Sequence, residues 1–472
     1  MKPLRQLLAL LLVMALCLTT PRPGLAFMDV FAGSLTVEKE RQVGEEFLLQ
    51  VQQVLPLVED AYLTSYINRV GQTLVQQLGA QPFHYRFFII DDPTMNAFAV
   101  PGGYIFITTG LIRQMEREGE LAGVLSHEIS HVHARHMSKT MEKARIATMA
   151  TLVAALAAIF LGGAAAQPLL MGGMAAGQSA MLAYSREFEE EADSLGLKWM
   201  LRSGYNPRDM ITVFRKLNKQ RWFEGGDIPL YLSTHPDVDS RLVHLSHHLA
   251  VNEGRLPGDR DNTEFQFFAI RVSAASSNPN QFLRRMTQES LHEPQNPAYH
   301  YGRALALARL EQTPETLAAF QQALALSPRN YLVQRDLAIY FFQRNRYAEA
   351  TEIFNELSQR APNDDTVLYY LGRISQQNKQ KDRALSLFEK VHKLNPTFSQ
   401  VYYDLGTLYG EKGQIGLAHY YLAYHSLKAR ALPTALFHFK KAMANLPVMD
   451  TRYAEVRRQV TRLEKLRRRA PN

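Results

Sequence analysis

A repeat of constant length is the feature of this 472-residue sequence that most restricts its fold. Pro328, Pro362 and Pro396 follow one another at intervals of 34 residues. Small and aromatic residues recur at fixed positions of each unit: Ala304, Ala338, Gly372 and Gly406, then Ala350, Ala384 and Ala418, then Phe320, Phe354 and Phe388. Small residues allow two helices to approach closely, and an aromatic ring fills the space between neighbouring units. The pattern therefore predicts a stack of helix pairs.

A period of 34 residues is typical of the tetratricopeptide repeat (TPR). The pattern of the second helix occurs once more near the end of the chain, in Ala435, Phe439, Ala442 and Pro447. We therefore predict an all-α TPR solenoid of about four or five units over residues 291–450.

Residues 256–290 and 451–472 flank the predicted array. The first segment contains two stretches rich in Pro, Gly, Ser, Asn and Asp, so we predict a linker followed by the first helix of the array. The second segment places Val456, Val460 and Leu463 on one helix face and basic residues on the other, as expected of a basic capping helix and tail. Its cations are predicted to be solvated; the same charge also suits anionic lipid or an acidic partner.

Residues 1–26 have the composition of a secretory signal peptide. Lys2 and Arg5 precede an apolar run at 7–18 that is too short to cross a bilayer comfortably. The single cysteine, Cys17, lies in this run, so the processed chain would depend on no disulfide. We expect this segment to be cleaved and the protein to be periplasmic.

Residues 27–255 are predicted to form one domain that combines helices with a small sheet. The segments Tyr85–Ile90 and Tyr104–Thr108 are short, rich in aromatic and β-branched residues, and bounded by Pro or Gly, which favours strands. Segment 101–106 has two interpretations. It is an edge strand that pairs with an extended substrate, or a core strand that follows a glycine turn, and the two are compatible if one edge is left open.

The stretch 147–182 is an apolar segment without charged residues inside this domain. Its first part is long enough for a membrane span, but it is mostly alanine, which inserts weakly, and Gly and Pro interrupt it. Three interpretations stay open: a hairpin packed on the domain, a hairpin that enters a membrane surface, and a true span. The span is the least favoured of the three.

The segment His127-Glu128-Ile129-Ser130-His131 matches the HExxH motif. Two histidines four residues apart share one helix face and can hold a single Zn²⁺, and Glu128 beside them can accept a proton from water. A motif of five residues occurs by chance often enough that the surrounding sequence must show whether it marks a metal site. A catalytic zinc site has three protein ligands and an open position, so a third ligand is expected downstream.

The acidic stretch that begins at Glu189 supplies the best candidate for this third ligand. Glu189 and Asp193 are four residues apart and share a helix face, so Glu189 can bind the metal while Asp193 orients a ligand imidazole. Acidic runs on helices are also common as solvated faces. The presence of HExxH favours the ligand interpretation.

Together with the segment 96–103, these two motifs resemble the metallopeptidase family that includes HtpX and the CAAX prenyl proteases. With export and the repeat array, the likeness narrows to periplasmic zinc metalloproteases of this type that carry tetratricopeptide repeats. The resemblance covers essentially the whole processed chain. It implies an α+β zincin-like metallopeptidase domain, mostly helical with a small sheet, followed by an all-α TPR solenoid. It also implies one Zn²⁺ per chain, held by His127, His131 and Glu189, with Glu128 as the general base.

The same resemblance draws attention to His235 and Arg241. In the family, a His-Pro loop with an arginine six residues after the histidine lies over the metal. The histidine can occupy the fourth zinc position in a latent state, and either residue can help to stabilise the oxyanion. From the residues alone, His235 is a loop histidine before a proline. The other nearby histidines are expected to be structural or exposed: His133, His136, His244, His247 and His248.

The sequence thus predicts a zinc endopeptidase that degrades unfolded or misassembled envelope proteins. The resemblance implies the β-barrel assembly machinery as a partner of the repeat array, and segment 147–182 offers a membrane-surface contact. The alternative is a chaperone or adaptor for β-barrel assembly in which proteolysis is latent or secondary. Nucleic acid is not expected as a ligand, because the formal charge of +8 is spread without a dense basic stripe or a recognition motif.

Overall fold

The computed structural model describes residues 36–54, 56–144, 184–223, 230–251, 254, 256–396, 398–429 and 431–469. The predicted signal peptide 1–26 and the apolar segment 147–182 lie outside the described residues. The chain divides into two compact units, one within Met1–Val58 and Tyr66–Asn262, the other within Glu59–Ser65 and Thr263–Asn472. Within the described ranges, no helix combines the length and apolar character needed to cross a membrane. The domain boundaries drawn from the sequence stay predictions.

The part of the chain up to Asn262 is mainly helical with one small sheet, as predicted. Its described helices are α1 (Val37–Val54), α2 (Ala61–Val75), α3 (Thr109–Ile112), α4 (Glu118–His133), α5 (His136–Ala144), α6 (Arg186–Arg202), α7 (Arg208–Phe223), α8 (Leu230–Thr234) and α9 (Val238–Val251). Its strands are β1 (Arg86–Ile90), β2 (Ala97–Val100) and β3 (Tyr104–Thr108).

The sheet has the strand order β1-β3-β2, with β1 parallel and β2 antiparallel to the central strand β3. The interpretation of segment 101–106 as an edge strand that pairs with substrate is therefore wrong. All residues of β3 are buried, and both of its edges are paired. Among the described residues, β2 pairs only with β3, so its outer edge has no strand partner there, although all four of its residues are buried.

A glycine turn joins β2 to β3. Gly102 and Gly103 both adopt the left-handed backbone region, with φ of 88° and 94°. A Cβ on Gly103 would lie 2.8 Å from the carbonyl oxygen of His84, so a side chain would be excluded by contact as well as by conformation. The turn sets the register that places Phe98 against Phe106, whose rings stack with centroids 5.0 Å apart.

The chain from Glu118 to Ala144 forms two helices instead of one. Helix α4 ends at His133, Arg135 has a φ of 58°, and α5 begins at His136. The strained backbone of Arg135 is held by an ion pair with the buried Glu40, whose Oε1 lies 2.6 Å from the arginine Nε. The break turns α5 away from the axis of α4.

The second unit is all helical, as predicted. Its described helices after Asn262 are α10 (Thr263–Ser276), α11 (Pro279–His292), α12 (Pro297–Arg309), α13 (Thr313–Leu326), α14 (Tyr331–Gln343), α15 (Tyr347–Arg360), α16 (Asp365–Gln377), α17 (Lys381–Leu394), α18 (Ser399–Glu411), α19 (Ile415–Lys428), α20 (Leu432–Asn445) and α21 (Tyr453–Arg469). The segment predicted as a linker and one helix contains two helices, α10 and most of α11, and α21 lies within 451–472. The capping role of α21 stays a prediction.

The recurring small and aromatic residues form the core of this unit. Phe320, Phe354 and Phe388 are buried, as are the alanines of the repeat pattern. Gly372 lies directly against one of these rings, because a Cβ at this position would be 2.6 Å from Phe388 Cε1. The side chains therefore pack as the spacing predicts, with small residues where an aromatic ring of the next helix needs room.

Two further signals with the 34-residue period set the ends of the helices. Asn296, Asn330 and Asp364 cap α12, α14 and α16, each accepting a hydrogen bond from a backbone N–H of the first turn. The turn inside each helix pair contains a residue with positive φ: Glu311, Asn345, Lys379 and Gly413. Three of these four are not glycine, which is why the sequence alone did not mark the turns.

A buried ionic cluster joins Glu59–Ser65 to the helices of the second unit. Arg271 Nε lies 2.8 Å from Asp60 Oδ2, and the same guanidinium also contacts Asp336. Arg335, which is 1% exposed, faces both aspartates. Burial alone would raise the pKa of Asp60, but Arg271 and Arg335 lower it to about 2. No local pattern in the sequence marks this cluster, because its members are far apart in the chain.

Replacing Asp60 by asparagine is expected to lower the free energy of unfolding of the array by about 2 kcal/mol at pH 7. Since the pKa of Asp60 is lower in the folded protein than in the unfolded chain, its contribution is present above about pH 4 and disappears as the pH falls to about 2. Urea denaturation between pH 2 and 7 measures the difference between wild type and Asp60→Asn. Asp382→Asn, an exposed aspartate of the same unit, is the control. An unchanged difference between pH 7 and pH 2 would contradict the assignment.

Candidate metal centre

Four side chains, from two helices and from the residue that follows a third, converge in the first unit. His127 and His131 lie on α4, Glu189 lies on the first turn of α6, and His235 directly follows α8. One ligand atom of each lies within 4.8 Å of the others, and all four residues are buried. The two Nε2 atoms of His127 and His131 are 3.0 Å apart, and each is 3.4 Å from an oxygen of Glu189.

Local sequence explains why these side chains meet. The spacing of four residues places His127 and His131 one above the other on α4. Ser185 caps α6 by accepting a hydrogen bond from the backbone N–H of Phe188, and this fixes where the helix begins. Glu189 is the first residue of the helix that is buried.

The donor set fits a zinc ion. Zinc prefers imidazole nitrogen and carboxylate oxygen in a tetrahedron at about 2.0–2.1 Å, which separates neighbouring ligand atoms by about 3.3 Å. The separations of 3.0–3.4 Å among His127, His131 and Glu189 agree with this value. His235 offers a fourth donor, with its Nδ1 3.3 Å from His127 Nε2 and 3.0 Å from Glu189 Oε1.

Glu128 lies within the cluster with its carboxylate unengaged. Neither of its oxygens has a hydrogen-bond partner among the described residues, although both are buried. The nearest imidazole nitrogen of His235 is 3.5 Å from Glu128 Oε1. Burial raises the pKa of Glu128 above its usual range. A buried carboxyl group with a raised pKa is suited to take up and return a proton.

Asp193 and Arg241 form the layer beneath the cluster. Asp193 Oδ1 lies 2.9 Å from Nδ1 of His127, on the ring side opposite to the donor nitrogen. Arg241 donates from Nε to Asp193 at 2.8 Å, and its Nη1 is 2.7 Å from Glu189 Oε2. Burial would raise the pKa of Asp193, but Arg241 lowers it to about 2. One buried cation thus keeps two buried carboxylates charged.

The protonation of the two histidines on α4 differs. Burial and Arg241 would lower the pKa of His127, but its hydrogen bonds with Asp193 and Glu189 prevail and raise it to about 9. Burial lowers the pKa of His131 well below its usual range.

His136 is a residue of this site that the sequence analysis missed. It was predicted to be structural or exposed, because on a continuous helix its offset turns it away from the ligand face. In the structure it is buried, and its Nδ1 lies 2.9 Å from Nδ1 of His131. The break at Arg135 allows this contact. His133, His247 and His248 are exposed, as predicted, and His244 is partly buried.

Two tyrosines, also missed from sequence, enclose the imidazoles. Tyr184 stacks on His131 with ring centroids 3.9 Å apart, and Tyr231 stacks on His235 at 4.4 Å. Burial raises the pKa of both hydroxyls well above the usual range, so both stay protonated at neutral pH. Beside His131, a small pocket is lined by Ala99 and Val100 of β2 and by Tyr184. Strand β2 therefore lies next to His131.

Two regions of the sequence match models of known protein families. Residues 62–249 match the model of peptidase family M48, and residues 307–374 match a tetratricopeptide repeat model. The chain carries a peptidase family M48 domain. The four converging residues, His127, His131, Glu189 and His235, all lie within the M48 domain, and the predicted fold class of a metallopeptidase domain followed by a TPR region is confirmed.

Curated proteins similar to this chain include bacterial proteases and a mitochondrial metalloendopeptidase. The "Beta-barrel assembly-enhancing protease" of Escherichia coli K12 is 32% identical over 310 residues, which are 64% of this chain and 63% of that protein. The protein of the same name from Yersinia pestis is 28% identical over 76% of this chain and 74% of its own length. The "Mitochondrial metalloendopeptidase OMA1" of Schizosaccharomyces pombe is 31% identical over 38% of this chain and 51% of that protein.

Replacing Arg241 by methionine is expected to destabilise the metal-free M48 domain by about 3 kcal/mol, because Glu189 and Asp193 would keep their buried charges without a counterion. A bound divalent cation would supply part of that charge, so the loss should be smaller in the presence of zinc. Thermal unfolding with zinc and with a chelator measures both values.

Arg186→Met is the control, because Arg186 is exposed and pairs with Asp237 at the surface. An equal loss of stability for Arg241→Met with and without zinc would contradict the assigned role.

Proposed function

We propose that this protein is a zinc-dependent endopeptidase that degrades unfolded or misassembled envelope proteins. The unengaged carboxylate of Glu128, placed among three residues suited to hold zinc, carries the proposal. This arrangement provides a metal-binding face and a base in the same buried site of an M48 domain. The names of the relatives support the same activity.

In the proposed mechanism, His127, His131 and Glu189 hold one zinc ion. A zinc ion held by these residues would supply Lewis acidity towards the scissile carbonyl and the attacking water. Glu128 accepts the proton of the attacking water and then donates it to the leaving amine, as its raised pKa allows. Asp193 holds the ring of His127 from its Nδ1 side, and Arg241 keeps both carboxylates charged.

The open edge of β2 offers a place for the substrate backbone. An extended segment that pairs with Ala97–Val100 would lie beside His131, where the small pocket is found. Main-chain hydrogen bonds to such an edge provide affinity with little preference for side chains. This suits substrates that are selected for being unfolded.

The location and partners of the protein are part of this proposal. The predicted signal peptide 1–26 would direct the chain to the periplasm. The E. coli relative is named for β-barrel assembly, and solenoids of helix pairs bind other proteins on extended surfaces. We infer that the repeat array binds client proteins or the assembly machinery, and that segment 147–182 contacts a membrane surface or packs on the domain.

Replacing Glu128 by glutamine is expected to retain zinc and to lower casein cleavage by about 10³-fold, because the amide cannot accept the proton of water. Metal analysis and cleavage assays with purified protein measure both properties, and a chelator should abolish the wild-type activity. Glu190→Gln, an exposed neighbour of Glu189, is the control. Cleavage at the wild-type rate by Glu128→Gln would refute the mechanism.

His235 suggests that the site is latent. Its buried ring lies within the reach of a fourth ligand and also next to Glu128, so it would occupy the position that water and substrate need. Replacing His235 by alanine is expected to raise cleavage on the order of tenfold, because activity scales with the fraction of molecules in which that position is open. His247→Ala, an exposed histidine of α9, is the control. Equal activity of His235→Ala and wild type would remove the latency proposal.

The closed site favours a second candidate function. A chaperone or adaptor for β-barrel assembly would bind clients through the repeats and cleave only when His235 moves away. The Glu128→Gln protein separates the two functions, because it keeps the metal and the array. If it still prevents the aggregation of an unfolded outer-membrane protein, client binding stands without proteolysis; if protection is lost together with cleavage, the chaperone candidate fails.

A further inference from the structure

A chain of hydrogen-bonding groups extends from the metal centre to the surface. His131 Nδ1 lies 2.9 Å from His136 Nδ1, and His136 Nε2 lies 3.1 Å from Glu191 Oε2. His131 and His136 are buried, whereas the side chain of Glu191 is 50% exposed. Each contact is within hydrogen-bond distance, and the three groups form a continuous relay.

The positions of the protons in this relay follow from the chemistry of the imidazole ring. A neutral imidazole has one nitrogen that donates and one that accepts. If His131 presents the lone pair of Nε2 to a metal, its proton is on Nδ1 and is donated to His136 Nδ1. His136 then carries its own proton on Nε2, where the carboxylate of Glu191 accepts it. A single arrangement of protons satisfies all contacts.

The other histidine of the HExxH motif is held differently. His127 Nδ1 contacts the carboxylate of Asp193 directly, at 2.9 Å. A carboxylate or carbonyl in this place fixes the tautomer and the ring orientation of a metal-bound histidine. At His131 the corresponding carboxylate is Glu191, but an imidazole stands between them. His127 is thus oriented by a carboxylate in direct contact, and His131 by a carboxylate that acts through the imidazole of His136.

The backbone and the packing of His136 serve this contact. The left-handed residue Arg135 ends α4 and returns the chain so that His136 faces His131 from the start of α5. The ring of His136 stacks on Phe188 of α6, with centroids 4.3 Å apart and planes at 12°. The stack holds the ring plane, and the hydrogen bonds determine which nitrogen faces His131.

We propose that His136 and Glu191 are positioning residues that fix the tautomer and orientation of His131 for metal binding. This inference rests on the zinc site of the proposed function. It assigns a role to the second acidic residue after Glu189, in a stretch for which a solvated face was the alternative from sequence.

Two substitutions at His136 separate hydrogen bonding from packing. His136→Phe retains the ring and its stack on Phe188 but has no group that accepts from His131. His136→Gln loses the ring, but its amide oxygen can accept from His131 while its NH₂ group donates to Glu191. The zinc dissociation constant of each variant is measured at pH 7.5 by competition with a chromophoric chelator.

We expect His136→Phe to weaken zinc binding by about 10- to 100-fold, as the loss of a partner to a ligand histidine does elsewhere. His136→Gln should stay within about threefold of wild type, and Glu191→Ala should weaken binding about tenfold. The matched controls are Glu190→Ala, an exposed neighbour of Glu191, and His133→Phe, an exposed histidine at the end of α4. Both should bind zinc as wild type does.

The visible spectrum of the cobalt-loaded protein gives a second measurement that does not depend on cleavage. It should be retained in His136→Gln and altered in His136→Phe, because the ligand field changes when His131 rotates. Tighter zinc binding by His136→Phe than by His136→Gln would show that packing alone matters and would overturn the proposal. If the wild-type chain binds zinc and every variant matches it, the positioning role fails while the proposed function stands. If the wild-type chain binds no zinc, both fail.

Discussion

The balance of charge in one buried cluster determines most of the architecture around the candidate metal centre. Glu189 and Asp193 are carboxylates without access to water, and such groups stay charged only when a cation lies against them. Arg241 supplies that cation, and its burial requires α9 to pack onto α6. The metal-binding face and its support are thus a single electrostatic unit. The second unit uses the same principle around Asp60, Arg271 and Arg335.

Periodic features of the sequence predicted the structure well. The spacing of four residues between His127 and His131 gives their shared face directly. The need for a third ligand points to Glu189, which lies beside them in the structure, and its role as a ligand stays a prediction. The 34-residue period predicted the helix pairs of the second unit and the burial of Phe354 and Phe388. In each case a local rule, the pitch of a helix or the length of a repeat, determines which side chains share a surface.

The parts that the sequence did not reveal depend on contacts between distant residues. The left-handed conformation of Arg135 is stabilised by Glu40, 95 residues earlier, and no local signal marks it. Without that break, His136 is assigned to the wrong face of the helix. The place of β3 at the centre of the sheet depends on pairing with two other strands, which composition does not determine. Tyr184 and Tyr231 become recognisable only once the imidazoles they cover are located.

Under the proposed function, the outer edge of β2, which has no strand partner among the described residues, has a consequence for the timing of proteolysis. A strand of a β-barrel can pair with this edge only while its own backbone groups are free, because each N–H and C=O takes part in one ladder at a time. Once a client strand has paired with the neighbouring strands of its own barrel, its backbone groups are no longer available to β2. A client whose assembly has stalled keeps an unpaired strand and can still bind. Under the proposed function, the probability that a client is cleaved rises with the time for which its strands stay unpaired. Pairing with one four-residue strand would then limit the time that a client has to assemble before it is cleaved.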